Sequence, residues 1–166
     1  MEGFTDSIQG VEIIISEVDG ILTNGVYPVD ELGNVPFKSF YHKDFEAINI
    51  LKKYFRVVFI SADNKVNYNM FRAKQIPFYY EPKKKKQALL HALKRYSLTP
   101  DQAIYMGSTY SDIDCMRQVP ISVCPEDSVP QVKNLANTVL PIFGGDGVFC
   151  QLYEFLRPEI QRRLSK

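Results

Sequence analysis

Four short segments of this 166-residue chain carry side chains that could do phosphoryl chemistry. The run Glu12-Ile-Ile-Ile-Ser-Glu17-Val-Asp19-Gly20 is an apolar strand that ends in two carboxylates on alternate residues. Ser61 follows a second apolar run, Val57-Val-Phe-Ile60, and Lys83 to Lys86 open a helix-length segment. Ala103-Ile-Tyr-Met-Gly107-Ser108-Thr109-Tyr110-Ser111-Asp112 repeats the strand-then-glycine layout. An acidic loop, a serine after a buried strand, a lysine at a helix start and a Gly-x-x-x-x-Asp loop are the parts of a magnesium-assisted phosphoryl-transfer site.

Such side chains converge only if strands deliver their loops to one edge. Short apolar runs alternate with helix-length amphipathic segments, the pattern of an α/β domain with a doubly wound, mainly parallel sheet and helices on both faces. Strands are predicted over Val11 to Ser16, Val57 to Ser61, Ala103 to Met106 and Ile121 to Val123, with a shorter outer one at Val139 to Leu140. Ile13-Ile-Ile15 and Val57-Val-Phe-Ile60 are apolar without alternation, as strands covered on both faces should be. Helices are predicted over Phe45 to Tyr54, Lys65 to Lys74, Lys84 to Tyr96, Asp112 to Arg117 and Gly147 to Arg163, with a capped turn at Thr99-Pro100-Asp101-Gln102. Ligand crevices in such sheets lie outside the carboxyl ends of the strands, where the loops 17–25, 61–64, 82–86 and 107–112 fall.

One insertion breaks the alternation. Val26 to Val29 and Val35 to Tyr41 flank Asp30-Glu-Leu-Gly33-Asn34, which predicts a β-hairpin projecting from the first loop, over about 26–41. Its apolar residues Val26, Tyr27, Val35, Phe37 and Phe40 need a covering layer, because an isolated two-stranded ribbon is marginal in water.

Composition bounds the rest. The length suits one domain, 1–166, that buries about 70% of the surface its unfolded chain exposes. A 45% apolar and 23% charged composition is that of an ordinary globular protein. A net charge of +1 argues against a dedicated nucleic-acid surface, with the lysine run as the local exception. Cys115, Cys124 and Cys150 have neither zinc-site spacing nor an even count, which points to buried apolar thiols in a reducing, cytoplasmic compartment. No membrane span or signal peptide is predicted. His42 and His91 fall on different helices and read as structural, and Phe78, Tyr79, Tyr80 and Tyr105 read as core or rim packing.

In this order and spacing the motifs resemble the haloacid dehalogenase superfamily. Val18-Asp19-Gly20-Ile-Leu22-Thr23-Asn24-Gly25, the hairpin, His42-Lys43-Asp44 and Phe143-Gly-Gly-Asp146-Gly-Val148 look like the 3-deoxy-octulosonate 8-phosphate phosphatases within it. They are similar too to the phosphatase-like domain of animal sialic-acid cytidylyltransferases. The resemblance runs from Val11 to about Phe155. It implies an aspartate nucleophile that also binds magnesium at position 17, where this chain has Glu17, and a general acid and base at Asp19. It further implies a phosphate-binding hydroxyl at Ser61, a charge-offsetting lysine at Lys86, and metal contacts from Glu17, Asp19 and Asp112. Ser108 stands where the family has a magnesium-ligating acid, so metal binding is expected to be weak. Asp63 and Asp146 stand where the family has arginines, and with Lys43 and Asp44 they mark the substrate region.

Plainer readings exist for most of these residues. Asp19 can be a loop carboxylate accepting backbone N–H groups, Ser61 a helix cap, and Lys83 to Lys85 a solvated helix start. The weight of substitutions favours a sugar-acid phosphatase homologue with impaired or absent catalysis that acts through binding or assembly. The resemblance implies a homotetramer built on the hairpins. One alternative is an active magnesium-dependent phosphatase for a phosphorylated sugar acid, such as 3-deoxy-octulosonate 8-phosphate or a nonulosonate 9-phosphate. Another is a regulatory subunit of a sugar-acid or sugar nucleotide enzyme.

Overall fold

The computed structural model describes residues 8–63 and 65–165. Among them six parallel strands form one sheet, β1 (Ile13–Glu17), β2 (Arg56–Ser61), β3 (Phe78–Tyr80), β4 (Ala103–Met106), β5 (Ile121–Pro125) and β6 (Thr138–Leu140), in the order β3-β2-β1-β4-β5-β6. The order reverses between β1 and β4, which pair Ile14 with Ile104 and Ser16 with Met106. A crevice opens at the carboxyl ends of strands that diverge in this way.

The connecting helices are α1 (His42–Leu51), α2 (Val66–Ala73), α3 (Lys85–Arg95), α4 (Ile113–Met116), α5 (Pro130–Leu135) and α6 (Val148–Leu164). The period-two geometry of the strands divides their side chains between two apolar layers. Ile14, Val57, Phe59, Ile104 and Met106 pack with α1, α2 and α6 through Ile48, Phe71 and Phe149. Ile13, Ile15, Val58, Ile60 and Tyr105 pack with α3, α4 and α5 through Leu89, Leu93, Met116 and Val132. The apolar runs without alternation are thus strands buried on both faces, as their composition requires.

Two elements differ from the sequence expectation by being present. Phe78–Tyr80 is an edge strand, Phe59 to Ser61 pairing with it, and three aromatic residues are too few to show a period. Pro130–Leu135 is a short helix that begins on its proline, a residue tolerated in the first turn.

The predicted hairpin is corrected in the other direction. Its turn forms: Asp30 N–H donates to the Asn34 carbonyl at 2.9 Å, and Asp30 Oδ1 accepts from Leu32 and Asn34 N–H at 2.9 and 2.7 Å. Gly33 takes the positive φ of 80° that this turn requires. The flanks 26–29 and 35–41 form no strand. Pro28 and Pro36 each remove a ladder donor, one on either side, and among the described residues no third strand pairs with the segment. Val26 is 76% exposed and Phe37 60%, with Tyr27 also exposed, whereas Val35 and Phe40 are half-buried. Phe40 leans on Phe45 of α1, ring centroids 6.0 Å apart.

Candidate active site

Glu17 ends β1 and is buried. Its Oε1 accepts from Val18 N–H at 2.8 Å, and its Oε2 forms an ion pair with the ammonium of Lys85. Lys85 is the first residue of α3 and is buried with it, its Nζ also lying 2.9 Å from Asp112 Oδ1. This corrects the expectation for Lys86, which is exposed one position further along the helix. Lys83 and Lys84 precede the helix and are exposed, and successive helical residues point about 100° apart, so Lys85 faces the crevice while Lys86 turns away from it.

Asp112 is saturated by donors. Lys85 Nζ and the Tyr105 hydroxyl donate to Oδ1, each at 2.9 Å. Ser108 N–H, Thr109 N–H and Thr109 Oγ1 donate to Oδ2 at 3.0, 2.9 and 3.0 Å. The carboxylate therefore ties the loop 107–112 into shape, and Tyr105 is a member of this network as well as of the core. Burial and the neighbouring Asp112 charge push the Tyr105 hydroxyl well above the usual phenol range, which keeps it a donor.

Asp19 lies in the loop beyond β1, within reach of four donor contacts. Lys38 Nζ reaches its Oδ1 and Oδ2 at 3.0 and 2.8 Å, Asn67 Nδ2 reaches Oδ2 at 2.9 Å, and Thr23 Oγ1 reaches Oδ1 at 3.1 Å. Ser61 Oγ accepts from Asn67 Nδ2 at 3.0 Å and from Asp63 N–H at 3.2 Å. Among the described residues its own hydrogen meets no acceptor, which leaves a buried hydroxyl with one donation to offer.

Gly144 and Gly145 hold the loop after β1 from behind. A Cβ on Gly144 would lie 2.3 Å from the Gly20 carbonyl oxygen, and one on Gly145 2.7 Å from Asn24 N. Only glycine allows so close an approach of two backbones.

Lys38, Asn67 and Lys85 are functional candidates that motif reading missed. Lys38 sits in a segment read as hairpin, and Asn67 in an amphipathic helix with no motif of its own. The one available signal was charge, since Asp63 beside the acidic loop calls for a nearby cation.

Several expected site residues lie elsewhere. Asp44 is buried, but its Oδ1 accepts from Phe149 and Cys150 N–H at 2.8 and 3.2 Å, capping α6. Burial pushes its carboxyl up to about 6 against the opposing effect of those N–H groups. Lys43 is exposed, its Nζ 5.9 Å from the centre of the Tyr41 ring, and Asp146 is exposed in the turn before α6. Neither is buried with its neighbours: Lys43 lies on the outer side of the first turn of α1 and Asp146 in a surface turn, while Asp44 and Val148 do the packing. Asp63 does reach the crevice, with Oδ2 2.7 Å from Lys38 Nζ. Tyr110 is 61% exposed, outside the crevice, and Ser111 pairs with Thr109. His42 is exposed beside Glu46, while His91 packs on Tyr79 at 5.6 Å. Cys115 and Cys124 are buried and Cys150 is half-buried.

The donor set is poor for a divalent cation. The oxygens of Asp112 are spent, Glu17 is engaged by Lys85 and Val18, and the Asp19 carbonyl oxygen lies 3.4 Å from Ser108 Oγ as its acceptor. Among the described residues no three His, Cys, Asp or Glu side chains are grouped to hold a metal ion, so Glu17, Asp19 and Asp112 do not form the expected magnesium site in this arrangement. Among the described residues no helix is long and apolar enough to cross a membrane.

Residues 23–152 match the family described as haloacid dehalogenase-like hydrolase. Over 152 residues, 90% of this chain and 84% of the relative, the sequence is 26% identical to the 3-deoxy-D-manno-octulosonate 8-phosphate phosphatase of Haemophilus influenzae. The cobalt-bound structure of that enzyme has a TM-score of 0.84 at 25% identity, covering 91% of this chain and 90% of its own. A structure described as a HAD superfamily (subfamily III A) hydrolase from Legionella pneumophila has a TM-score of 0.89 at 27% identity, covering 99% of this chain and 92% of its own.

Proposed function

The chain belongs to the haloacid dehalogenase-like hydrolases, and from that premise we propose that it binds a phosphorylated sugar acid at Ser61, Asp19 and Lys85 but hydrolyses it slowly or not at all. The observation that carries this reading is the fixing of Glu17 by Val18 N–H and Lys85. A nucleophile must meet phosphorus in line, and the extra methylene of glutamate moves its oxygens by about 1 Å, a misplacement that can cost roughly a hundredfold in rate. Ser61 supplies a hydroxyl for a phosphoryl oxygen, and Lys85 supplies positive charge beside the attacking group. Asp19 stands where a leaving alcohol would need a proton.

The second reading is an active phosphatase. It is favoured by the free donor on Ser61, by the shared contact of Asn67 with Ser61 and Asp19, and by the activity named for the Haemophilus influenzae relative. On this reading Glu17 and the Asp19 carbonyl would have to leave Lys85 and Ser108 to hold a weakly bound magnesium ion. Assembly belongs to both readings: the exposed Val26, Tyr27 and Phe37 support a homotetramer formed through the loop 26–41.

Phosphate release from p-nitrophenyl phosphate and from 3-deoxy-octulosonate 8-phosphate tests the choice, with magnesium present. The expected result is turnover by Glu17→Asp plus Ser108→Asp at least about a hundredfold above wild type. Wild-type turnover in the ordinary range of about 1 to 1,000 per second, abolished by Asp19→Asn, would establish the second reading instead.

A further inference from the structure

We propose that Lys38 is the anion-binding cation at the mouth of the site and that Asp63 competes with the ligand for it, so that Asp63 sets which phosphate-bearing ligands are accepted. This deepens the proposed function and rests on its premise that the site takes a phosphorylated ligand. Lys38 lies in a loop whose neighbours Phe37 and Ser39 are exposed, yet its own side chain is 2% exposed. A lysine is rarely buried so fully unless charge holds it, and here two carboxylates do, Asp19 at 2.8 Å and Asp63 at 2.7 Å.

The surroundings of Lys38 are donors. Asn67 Nδ2 shares Asp19 Oδ2 with it and also contacts Ser61 Oγ, whose hydrogen is free among the described residues. The two N–H groups of Asn67 are thus spent on holding Asp19 and Ser61, and an ammonium and a hydroxyl face one small region beyond the carboxyl end of β2. Those two are donors suited to a phosphoryl group. Against them stand four carboxylates, Glu17, Asp19, Asp63 and Asp112, balanced by two ammonium groups, Lys38 and Lys85. A phosphate dianion entering this deficit needs more positive charge than Lys85 alone supplies, because that ammonium already serves Glu17 and Asp112.

Asp63 is the carboxylate placed to yield. Apart from Lys38, its side chain is held only by backbone N–H groups at the start of α2, Lys65 at 2.7 Å and Asn67, and it is 19% exposed at the rim. Asp112, by contrast, is fully buried and carries five donors. Turning Asp63 outward frees one face of Lys38 for a phosphoryl oxygen without disturbing Asp19. The pair is charged throughout the neutral range. Burial works against both ions, but Asp19 and Asp63 together hold the lysine above its ordinary value, and Lys38 with the Lys65 and Asn67 backbone N–H groups holds the aspartate below its own. The competition is therefore electrostatic, and ligands with the highest phosphoryl charge gain most from removing Asp63.

The test is binding of inorganic phosphate, measured by titration calorimetry at fixed ionic strength on the full chain. Asp63→Asn is expected to tighten binding by about tenfold, the size of one close like-charge contact in partly screened surroundings. Lys38→Met is expected to weaken it by a similar factor, and Asp63→Asn in the Lys38→Met background to give no gain. Equal or weaker binding by Asp63→Asn overturns the proposal, and that arm stands even if Lys38→Met fails to fold. Ser61→Ala separates the two layers of inference. If it abolishes binding while Asp63→Asn changes nothing, the competition is wrong and the phosphate site stands. If none of these proteins binds phosphate, both fall.

Discussion

Lys85 Nζ lies 2.9 Å from Asp112 Oδ1 and pairs on its other side with Glu17, so a single ammonium joins the carboxyl ends of β1 and β4 at the first residue of α3. Buried charges of this kind are costly alone and tolerable together. The position between two diverging strands makes the lysine a structural member of the crevice as well as a chemical one.

Lys85→Met is therefore expected to lower stability by about 3 to 5 kcal/mol, since it strands two buried carboxylates, while Lys86→Met stays within about 0.5 kcal/mol. Urea unfolding of the two variants measures the difference. Glu17→Gln in the Lys85→Met background should recover part of the loss. Equal effects of the two lysine substitutions would return the functional assignment to Lys86.

The strand pattern made the architecture legible. Ile13-Ile-Ile15 and Val57-Val-Phe-Ile60 could only be doubly covered strands, and the glycine-bearing loops after them could only meet at the sheet's carboxyl edge. Glu17, Asp19 and Ser61 are legible because they sit at or just past the ends of strands, and Asp112 because it closes the glycine-bearing loop after β4. Lys85 was missed by one residue, since four consecutive lysines hide which phase of the helix faces inward. Lys38 and Asn67 carry no motif, because the partner they share, Asp19, lies 19 and 48 residues away and meets them only in the fold. The hairpin was misjudged because alternating apolar residues outweighed Pro28 and Pro36, which deny the ladder its donors.

Asp44 is expected to give stability a pH dependence between about pH 4 and 6. Its folded carboxyl titrates at about 6 against an ordinary 3.8, so the folded state holds the proton more tightly. The associated stability is fully present below the unfolded value and is lost as pH rises through the folded one. At 1.36 kcal/mol per unit, wild type should lose about 2 to 3 kcal/mol relative to Asp44→Asn on going from pH 4 to pH 7. Urea unfolding of both proteins at the two pH values cancels the groups they share. A difference that does not change with pH would show that the cap at Phe149 and Cys150 N–H offsets the burial of the charge.

Magnesium should barely stabilise the wild-type chain. A ligand present at no more than its dissociation constant adds at most about 0.4 kcal/mol, whereas one at a hundredfold excess adds about 2.7 kcal/mol. Millimolar magnesium is expected to fall in the first regime for wild type and to approach the second for Glu17→Asp plus Ser108→Asp, where two carboxylates of proper length replace an engaged glutamate and a hydroxyl. Thermal unfolding with and without magnesium reads this directly. A large shift in wild type would mean that Glu17 leaves Lys85 readily and would favour the active-phosphatase reading.

The loop 26–41 exposes Val26, Tyr27, Val29, Leu32 and Phe37 around a turn that is well hydrogen-bonded but has no strands beside it. Intrachain cover is absent among the described residues, and a neighbouring subunit's loop can supply both the missing apolar layer and the missing ladder partners. Light scattering on a sizing column should therefore find a tetramer for wild type. Phe37→Asp, which places a charge at the centre of that contact, should shift the protein towards monomer while Lys38 and the crevice remain in place. The separation matters, because Phe37 and Lys38 are adjacent and face opposite ways: one outward to a second chain, the other inward to Asp19 and Asp63. If the variant loses assembly but keeps phosphate affinity, the loop serves two functions through adjacent residues. If wild type is a monomer, the exposed face needs another partner and the tetramer is wrong.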